Sequence, residues 1–109
     1  MKIADFLKLE AVVANLESGD AIAVLKELSQ PLARAQQLDA KQLSDALIDR
    51  FKLGSTGVGD GLAIPHGRLT ALTKPLASFG RSSKGIDFDA RDGKPVHIFF
   101  TLFSPANSA

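Results

Sequence analysis

The run Val96-His-Ile-Phe-Phe-Thr-Leu-Phe103 constrains the fold of this 109-residue chain more than any other feature. It is nearly continuous in residues that favour β-structure, which is typical of a central strand buried on both faces. Only Ser104-Pro-Ala-Asn-Ser-Ala109 follows it, and so short a tail cannot cover a strand of this kind. A strand of this kind needs cover on both of its faces.

The first half of the sequence predicts two helices. Ser18-Gly19-Asp20 offers N-cap residues for a first helix, which Pro31 should kink or end near Gln30 before it resumes over residues 32–37. Asp39 is the N-cap candidate of a second helix, and Gly54 is its stop signal. The apolar stripe of the second helix falls at i, i+3, i+4, i+7 and i+8, on Leu43, Ala46, Leu47, Arg50 and Phe51.

The second half predicts strands. Leu62–Ile64 is a short apolar run closed by Pro65, and Leu76–Gly80 is a further strand candidate. Residues 86–89 alternate between apolar and acidic side chains, which indicates a half-exposed extended segment, and Asp92-Gly93 predicts a turn. Helices followed by strands in one short chain favour an α/β or α+β sandwich.

Residues 54–61 hold four of the nine glycines in the chain, too many for a helix or an ordinary strand. A loop of this kind exposes backbone N–H groups to a phosphate-sized anion. It lacks the Gly-Lys-Ser/Thr ending of a Walker A loop. It also follows a helix and leads into a strand, the reverse of a dinucleotide-binding fingerprint. A flexible connection built of turn-forming glycines explains the pattern equally well.

His66 stands between Pro65 and Gly67 at the end of the short apolar run, where an imidazole would be positioned yet accessible. Histidine suits nucleophilic chemistry near neutral pH, although a turn histidine that bonds only locally fits the same pattern. Arg50 lies on the apolar stripe of the second helix, where it either meets an anion or extends its head into solvent. Arg68 is a further anion ligand or an ordinary surface residue. His97 is interpreted as a structural histidine of the last strand.

The combined pattern resembles the active-site signature of the enzyme IIA domains of the fructose–mannitol class, from the bacterial phosphoenolpyruvate-dependent phosphotransferase system. The resemblance rests on Arg50 and on the run Leu53-Gly-Ser-Thr-Gly-Val-Gly-Asp-Gly-Leu-Ala-Ile-Pro-His-Gly-Arg68. It continues through Gly85-Ile-Asp-Phe88, Asp92-Gly-Lys-Pro-Val96 and the apolar strand ending at Phe103-Ser-Pro105. Within this class the chain is most similar to the nitrogen-regulatory type.

The resemblance implies a role for each matched residue. His66 corresponds to the phosphorylated histidine, which receives a phosphoryl group from a phosphorylated HPr-type carrier. Arg50 corresponds to the arginine that stabilises phosphoryl charge beside it. The loop that packs against the site corresponds to Thr56, Gly57, Gly59 and Gly67. Positioning and electrostatic support are the main requirements of phosphoryl transfer, so neither a metal nor another cofactor is expected.

The resemblance also implies an α/β fold, a mixed and mostly parallel β-sheet flanked by helices on both faces. The family has a second active-site histidine soon after the Ser-Pro segment, and this sequence ends before it, so His97 is not its match. We therefore expect residues 1–109 to be a single domain that is incomplete at its C-terminus. Such a domain should expose an apolar patch around Val96–Phe103 unless another chain covers it.

Composition limits the remaining function classes. The formal charge of +1 is not that of a nucleic-acid binder, and no apolar run approaches the roughly 20 residues of a membrane span. The sequence has no cysteine and so no thiolate chemistry, which agrees with a cytoplasmic location. Two histidines with no matching carboxylate spacing make a poor zinc hydrolase.

Three readings of function remain. The first is a phosphocarrier with a regulatory output through target proteins, the second is a sugar-specific enzyme IIA that passes phosphate to a IIB domain, and the third is a non-catalytic interaction module.

Overall fold

A computed structural model describes residues 7–13, 15–70, 72 and 75–105. The end of the chain at residues 106–109, on which part of the expectation of an incomplete domain was based, lies outside the described residues. The helices are α1 (Ala21–Gln36) and α2 (Ala40–Leu53). The strands are β1 (Leu7–Val13), β2 (Gly57–Gly59), β3 (Leu62–Ala63), β4 (His66–Leu69), β5 (Leu76–Ile86) and β6 (Val96–Pro105).

The predicted mixed sheet is confirmed. Its strands run in the order β1-β5-β6-β3-β2, and β4 pairs with β6 outside this path. The pairs β1–β5, β3–β6 and β4–β6 are parallel, whereas β5–β6 and β2–β3 are antiparallel. The apolar run of the sequence becomes β6, which contacts three other strands and holds the sheet together.

The helices begin where the capping residues predicted. Asp20 Oδ1 accepts a hydrogen bond from the Ala23 N–H at 2.9 Å, and Asp39 Oδ1 accepts one from the Lys41 N–H at 2.9 Å. Pro31 does not end α1 near Gln30: the helix continues through it to Gln36, which confirms the helical stretch predicted beyond the proline. Proline removes a single backbone donor, and burial of the apolar stripe on both sides of it holds the helix together. The deeply buried residues of that stripe are Val24, Leu25, Leu28 and Leu32.

The glycine-rich segment differs from the predicted irregular loop, because Gly57–Gly59 forms a short strand that pairs with Leu62–Ala63. Asp60 and Gly61 connect the two strands, with φ of 56° and 80°. Positive φ at both central residues is what a two-residue hairpin turn requires, and Asp-Gly is a preferred pair for it. The glycines therefore serve a tight hairpin.

Both helices pack on one face of the sheet. A Cβ atom on Gly80 of β5 would lie 2.4 Å from Leu28 Cδ2 of α1, and a Cβ atom on Gly67 of β4 would lie 3.0 Å from Ala46 Cβ of α2. Gly80 and Gly67 are the register partners of Phe99 and Phe103, both of which are buried. This face therefore carries the core. Neither helix of the described residues has the length and apolar character that a bilayer span requires.

The other face of the sheet is open among the described residues, so the expectation that β6 is buried on both faces is wrong. The residues that alternate with Phe99 and Phe103 are the ones left accessible: Ile98 is 41% exposed, and Phe100 and Leu102 are half-buried. Phe79 of β5 lies directly opposite Phe100 and is also half-buried. The predicted apolar patch is therefore present, but only on alternate residues of the run.

Candidate functional site

His66 is the first residue of β4, not the last residue of the preceding apolar run as the sequence indicated. Its side chain is exposed, and its Nδ1 atom lies 3.0 Å from the carbonyl oxygen of Ile64. A carbonyl oxygen only accepts hydrogen bonds, so Nδ1 carries the proton of the neutral ring. The Nε2 atom therefore presents its lone pair, and it is the nitrogen that can act as a nucleophile.

Arg50 lies in the last turn of α2 and reaches His66 directly. Its Nε–H donates to His66 Nε2 at 3.2 Å, and its Nη1–H donates to the Gly54 carbonyl oxygen at 2.7 Å. The second bond satisfies a carbonyl just beyond the helix end and fixes the direction of the guanidinium. The two residues that the sequence singled out are thus joined in the fold.

Gly67 explains why α2 comes so close to β4. A Cβ atom at position 67 would lie 3.0 Å from Ala46 Cβ and 3.2 Å from the Ala46 carbonyl carbon. Only glycine leaves room for the helix at this distance. Gly67 therefore faces α2 and does not line the cavity beside His66.

His66 and Arg50 open onto a cavity of about 360 Å³. The loop residues Thr56 and Gly57 line it, whereas Gly59 does not. The Gly57 N–H already donates to Ser55 Oγ at 3.0 Å, so it is not a free anion donor. The complete lining consists of Arg50, Ser55, Thr56, Gly57, Val58, Ile64, His66 and Arg91.

Several apolar residues surround the site. Ile64, from the apolar run before His66, lines the cavity. Leu62, Leu69 and Leu72, which are also near His66 in sequence, do not line it. Val58 is 47% exposed at the cavity and Leu53 is 85% exposed at the end of α2, and sequence reasoning missed both. Their exposure is the only signal that marks them, and it becomes visible once the fold is known.

Arg68 and His97 lie outside the cavity. Arg68 is an exposed residue of β4, paired in register with Ser104. The Nδ1 atom of His97 lies 2.9 Å from the Ser82 carbonyl oxygen, and the His97 ring packs beside Gly85 at the irregularity between β5 and β6. These contacts agree with a structural role for His97. No group of three or more potential metal ligands occurs in the described residues.

The family model of the phosphoenolpyruvate-dependent sugar phosphotransferase system, EIIA 2, matches residues 5–109. The chain belongs to this family. It therefore has the architecture of an EIIA domain, the predicted family is confirmed, and members of this family are components of a phosphotransferase system.

Curated relatives of this EIIA domain come from both branches of the family. A nitrogen regulatory protein of Bradyrhizobium diazoefficiens is 37% identical over 96% of this chain and 69% of its own length. A fructose-specific EIIA component of Haloferax volcanii is 40% identical over 94% of this chain. The chain spans 64% of that Haloferax protein and 16% of a fructose-specific EIIABC component of Bacillus subtilis.

Solved structures agree with the fold. The crystal structure of the nitrogen regulatory protein IIA-Ntr from Neisseria meningitidis superposes with a TM-score of 0.90 at 38% identity. It is matched over 97% of this chain and 73% of its own. The IIA mannitol domain of Escherichia coli superposes with a TM-score of 0.77 at 18% identity, which shows the shared fold alone.

Proposed function

We propose that this EIIA domain is a phosphohistidine carrier that accepts a phosphoryl group at His66 Nε2 from a phosphorylated HPr-type carrier. The proposal is supported above all by the Arg50–His66 contact, in which a guanidinium donates to the nitrogen that would attack phosphorus. In the step, Nε2 forms a bond to phosphorus while the bond from phosphorus to the donor nitrogen breaks. The electron pair of that bond returns to the imidazole of the donor.

The described residues suit this reaction in three ways. The Ile64 carbonyl holds the proton on Nδ1 and leaves the Nε2 lone pair directed away from the backbone. As the phosphoryl group arrives, the Arg50 N–H that bonds Nε2 is free to move to a phosphoryl oxygen, where a charge-assisted bond is stronger. The apolar residues Val58 and Ile64 would exclude water from the transfer.

The proposed output is regulatory, through target proteins that bind one phosphorylation state, as in the nitrogen branch. The 0.90 TM-score to IIA-Ntr supports this choice. The 40% identity to a fructose-specific EIIA component supports a second candidate, in which the phosphoryl group passes to a IIB domain. The proposal has two further parts. Residues 1–109 form one domain, which limited proteolysis tests, and the protein is cytoplasmic, which cell fractionation tests.

The experiment is labelling from phosphoenolpyruvate through the general carrier proteins. We expect acid-labile, base-stable phosphohistidine in the natural chain and in His97→Ala, and none in His66→Ala. Label that persists in His66→Ala would overturn the site, and a natural chain that takes no label would favour the interaction module. Adding a IIB domain to the labelled chain separates the two outputs, because only a sugar-specific enzyme IIA should pass the label on.

A further inference from the structure

A second arginine that the resemblance did not supply lines the cavity beside His66. Arg91, from the segment between β5 and β6, lines the same cavity as Arg50 and His66. None of the described residues that line this cavity is acidic, so it carries two fixed positive charges and no compensating carboxylate. A small, open, doubly cationic cavity favours an anion with more than one negative charge.

The backbone at Arg91 is fixed to the glycine-rich hairpin. The Arg91 N–H donates to the Gly57 carbonyl oxygen at 3.3 Å, and the Asp60 N–H donates to Asp92 Oδ2 at 3.0 Å. A Cβ atom on Gly57 would lie 2.9 Å from Ala90 Cα, so the two segments touch through their backbones. The backbone of Arg91 is thus fixed beside the cavity, and its side chain is exposed.

A phosphorylated side chain carries more negative charge than one arginine can neutralise. Such a group carries about 1.5 to 2 negative charges at neutral pH and three acceptor oxygens. The Arg50 guanidinium supplies one positive charge and also donates to the Gly54 carbonyl oxygen. Arg50 alone therefore leaves phosphoryl charge and acceptors unmatched. No described residue accepts a hydrogen bond from the Arg91 guanidinium in the fold as it stands.

We propose that Arg91 is a second phosphoryl-binding residue, whose guanidinium contacts the oxygens of a phosphoryl group on His66 and neutralises the charge that Arg50 leaves. This inference rests on the proposed function of His66. Arg91 neither forms nor breaks a covalent bond in the transfer. It stabilises the phosphorylated state and favours the fully ionised phosphoryl group over its singly protonated form.

The test is a pH titration of the phosphohistidine followed by ³¹P NMR. The natural chain, Arg91→Gln, Arg91→Lys and Arg81→Gln are loaded from phosphoenolpyruvate through the general carriers, or with phosphoramidate where carrier loading fails. Arg81 is the matched control, because it is an exposed arginine of β5 outside the cavity.

We expect Arg91→Gln to raise the second pKa of the phosphoryl group by roughly one unit, since a positive charge within a few ångströms lowers an acid pKa by about 1 to 3 units. Arg91→Lys should keep most of the lowered value, and Arg81→Gln should match the natural chain. A phosphoryl pKa in Arg91→Gln equal to that of the natural chain would overturn the role of Arg91 alone. A natural chain that forms no phosphohistidine with either donor would overturn the proposed function and this inference with it.

Discussion

Arg50 Nε lies 3.2 Å from His66 Nε2, although the two residues are sixteen positions apart in the chain. The end of α2 and the start of β4 meet there because Gly67 admits the helix next to the strand. The contact has two consequences for the proposed chemistry. It holds the imidazole in place before a donor arrives, and it occupies the lone pair that has to attack. The guanidinium must therefore move from nitrogen to oxygen during transfer.

The first prediction concerns this guanidinium. Arg50→Gln should slow phosphorylation of His66 about 100-fold, the usual cost of losing one preorganised donor to a transition-state oxygen. Arg50→Lys should lose less, since it keeps the charge but not the fork geometry. Initial rates of labelling by a phosphorylated HPr-type carrier measure both, with Arg81→Gln as the control. Labelling of Arg50→Gln at the natural rate would contradict the assignment.

The second prediction concerns the approach of α2 to β4. Gly67→Ala should lower the free energy of unfolding by about 1–3 kcal/mol, because the new Cβ meets backbone and Cβ atoms of Ala46 at 3.0–3.3 Å. It should also slow labelling, since α2 carries Arg50. Gly19→Ala is the matched control: a Cβ at position 19 has no neighbour within 4 Å, so the change should stay within about 0.5 kcal/mol. Urea unfolding measures both, and equal stabilities would refute the packing argument.

Local chemistry in the sequence predicts the local parts of the fold. The caps at Asp20 and Asp39 and the stop at Gly54 act within a few residues, and the structure has both helices begin at these caps and α2 end at Gly54. The sequence left open whether Pro31 kinks or ends α1. The helix continues through it, because burial of the helix around Pro31 depends on the sheet, which lies far away in the chain. Helix propensity alone does not include the free energy that the helix gains by packing against the sheet.

The candidate site likewise combines residues that the sequence identifies with residues that only the fold brings to the cavity. His66 and Arg50 stand out because their neighbours or helical positions are unusual for their residue types. Arg91 lies in a charged turn with no motif of its own, and only its bond to Gly57 brings it to the cavity. The apolar patch on β6 was predicted, but its restriction to alternate residues was not, because an uninterrupted apolar run does not tell which of its two faces the helices cover.

The third prediction is a pH dependence that comes from Glu27. Partial burial raises the pKa of this carboxyl, but hydrogen bonds from the Ser18 hydroxyl and the Glu17 and Ser18 amides outweigh it and leave the pKa below its ordinary value. Because the folded pKa is lowered, the carboxylate stabilises the fold above about pH 4.3, the unfolded value, and this contribution disappears as the pH falls through the folded pKa.

Glu27→Gln should therefore be less stable than the natural chain at pH 7, and the difference should shrink below about pH 4. Urea unfolding at a series of pH values measures it. Glu17→Gln is the control: Glu17 is exposed, and its contact with Glu27 is made through its backbone amide. A difference between Glu27→Gln and the natural chain that stays constant down to pH 3 would show that the carboxylate charge is not responsible.

The last prediction concerns Thr101 in the middle of β6. Its side chain is fully buried, and among the described residues its Oγ1 atom has no hydrogen-bond partner. Ser78, its register partner on β5, donates from Oγ to the Leu28 carbonyl oxygen at 3.4 Å and so uses the nearby acceptor on α1. A buried hydroxyl without a partner costs about 1–3 kcal/mol in desolvation.

Thr101→Val replaces that hydroxyl by a methyl group of nearly the same size and suits a β-strand. It should therefore raise the free energy of unfolding by about 1 kcal/mol, which corresponds to a rise in Tm of roughly 4–8 °C for a domain of this size. Ser78→Ala, which removes a bonded hydroxyl from the same layer, should instead lower stability slightly. Thermal unfolding of the two variants side by side decides the point. A Thr101→Val variant that melts below the natural chain would mean that the hydroxyl is bonded after all, and that β6 is held to the helices by a polar contact as well as by its phenylalanines.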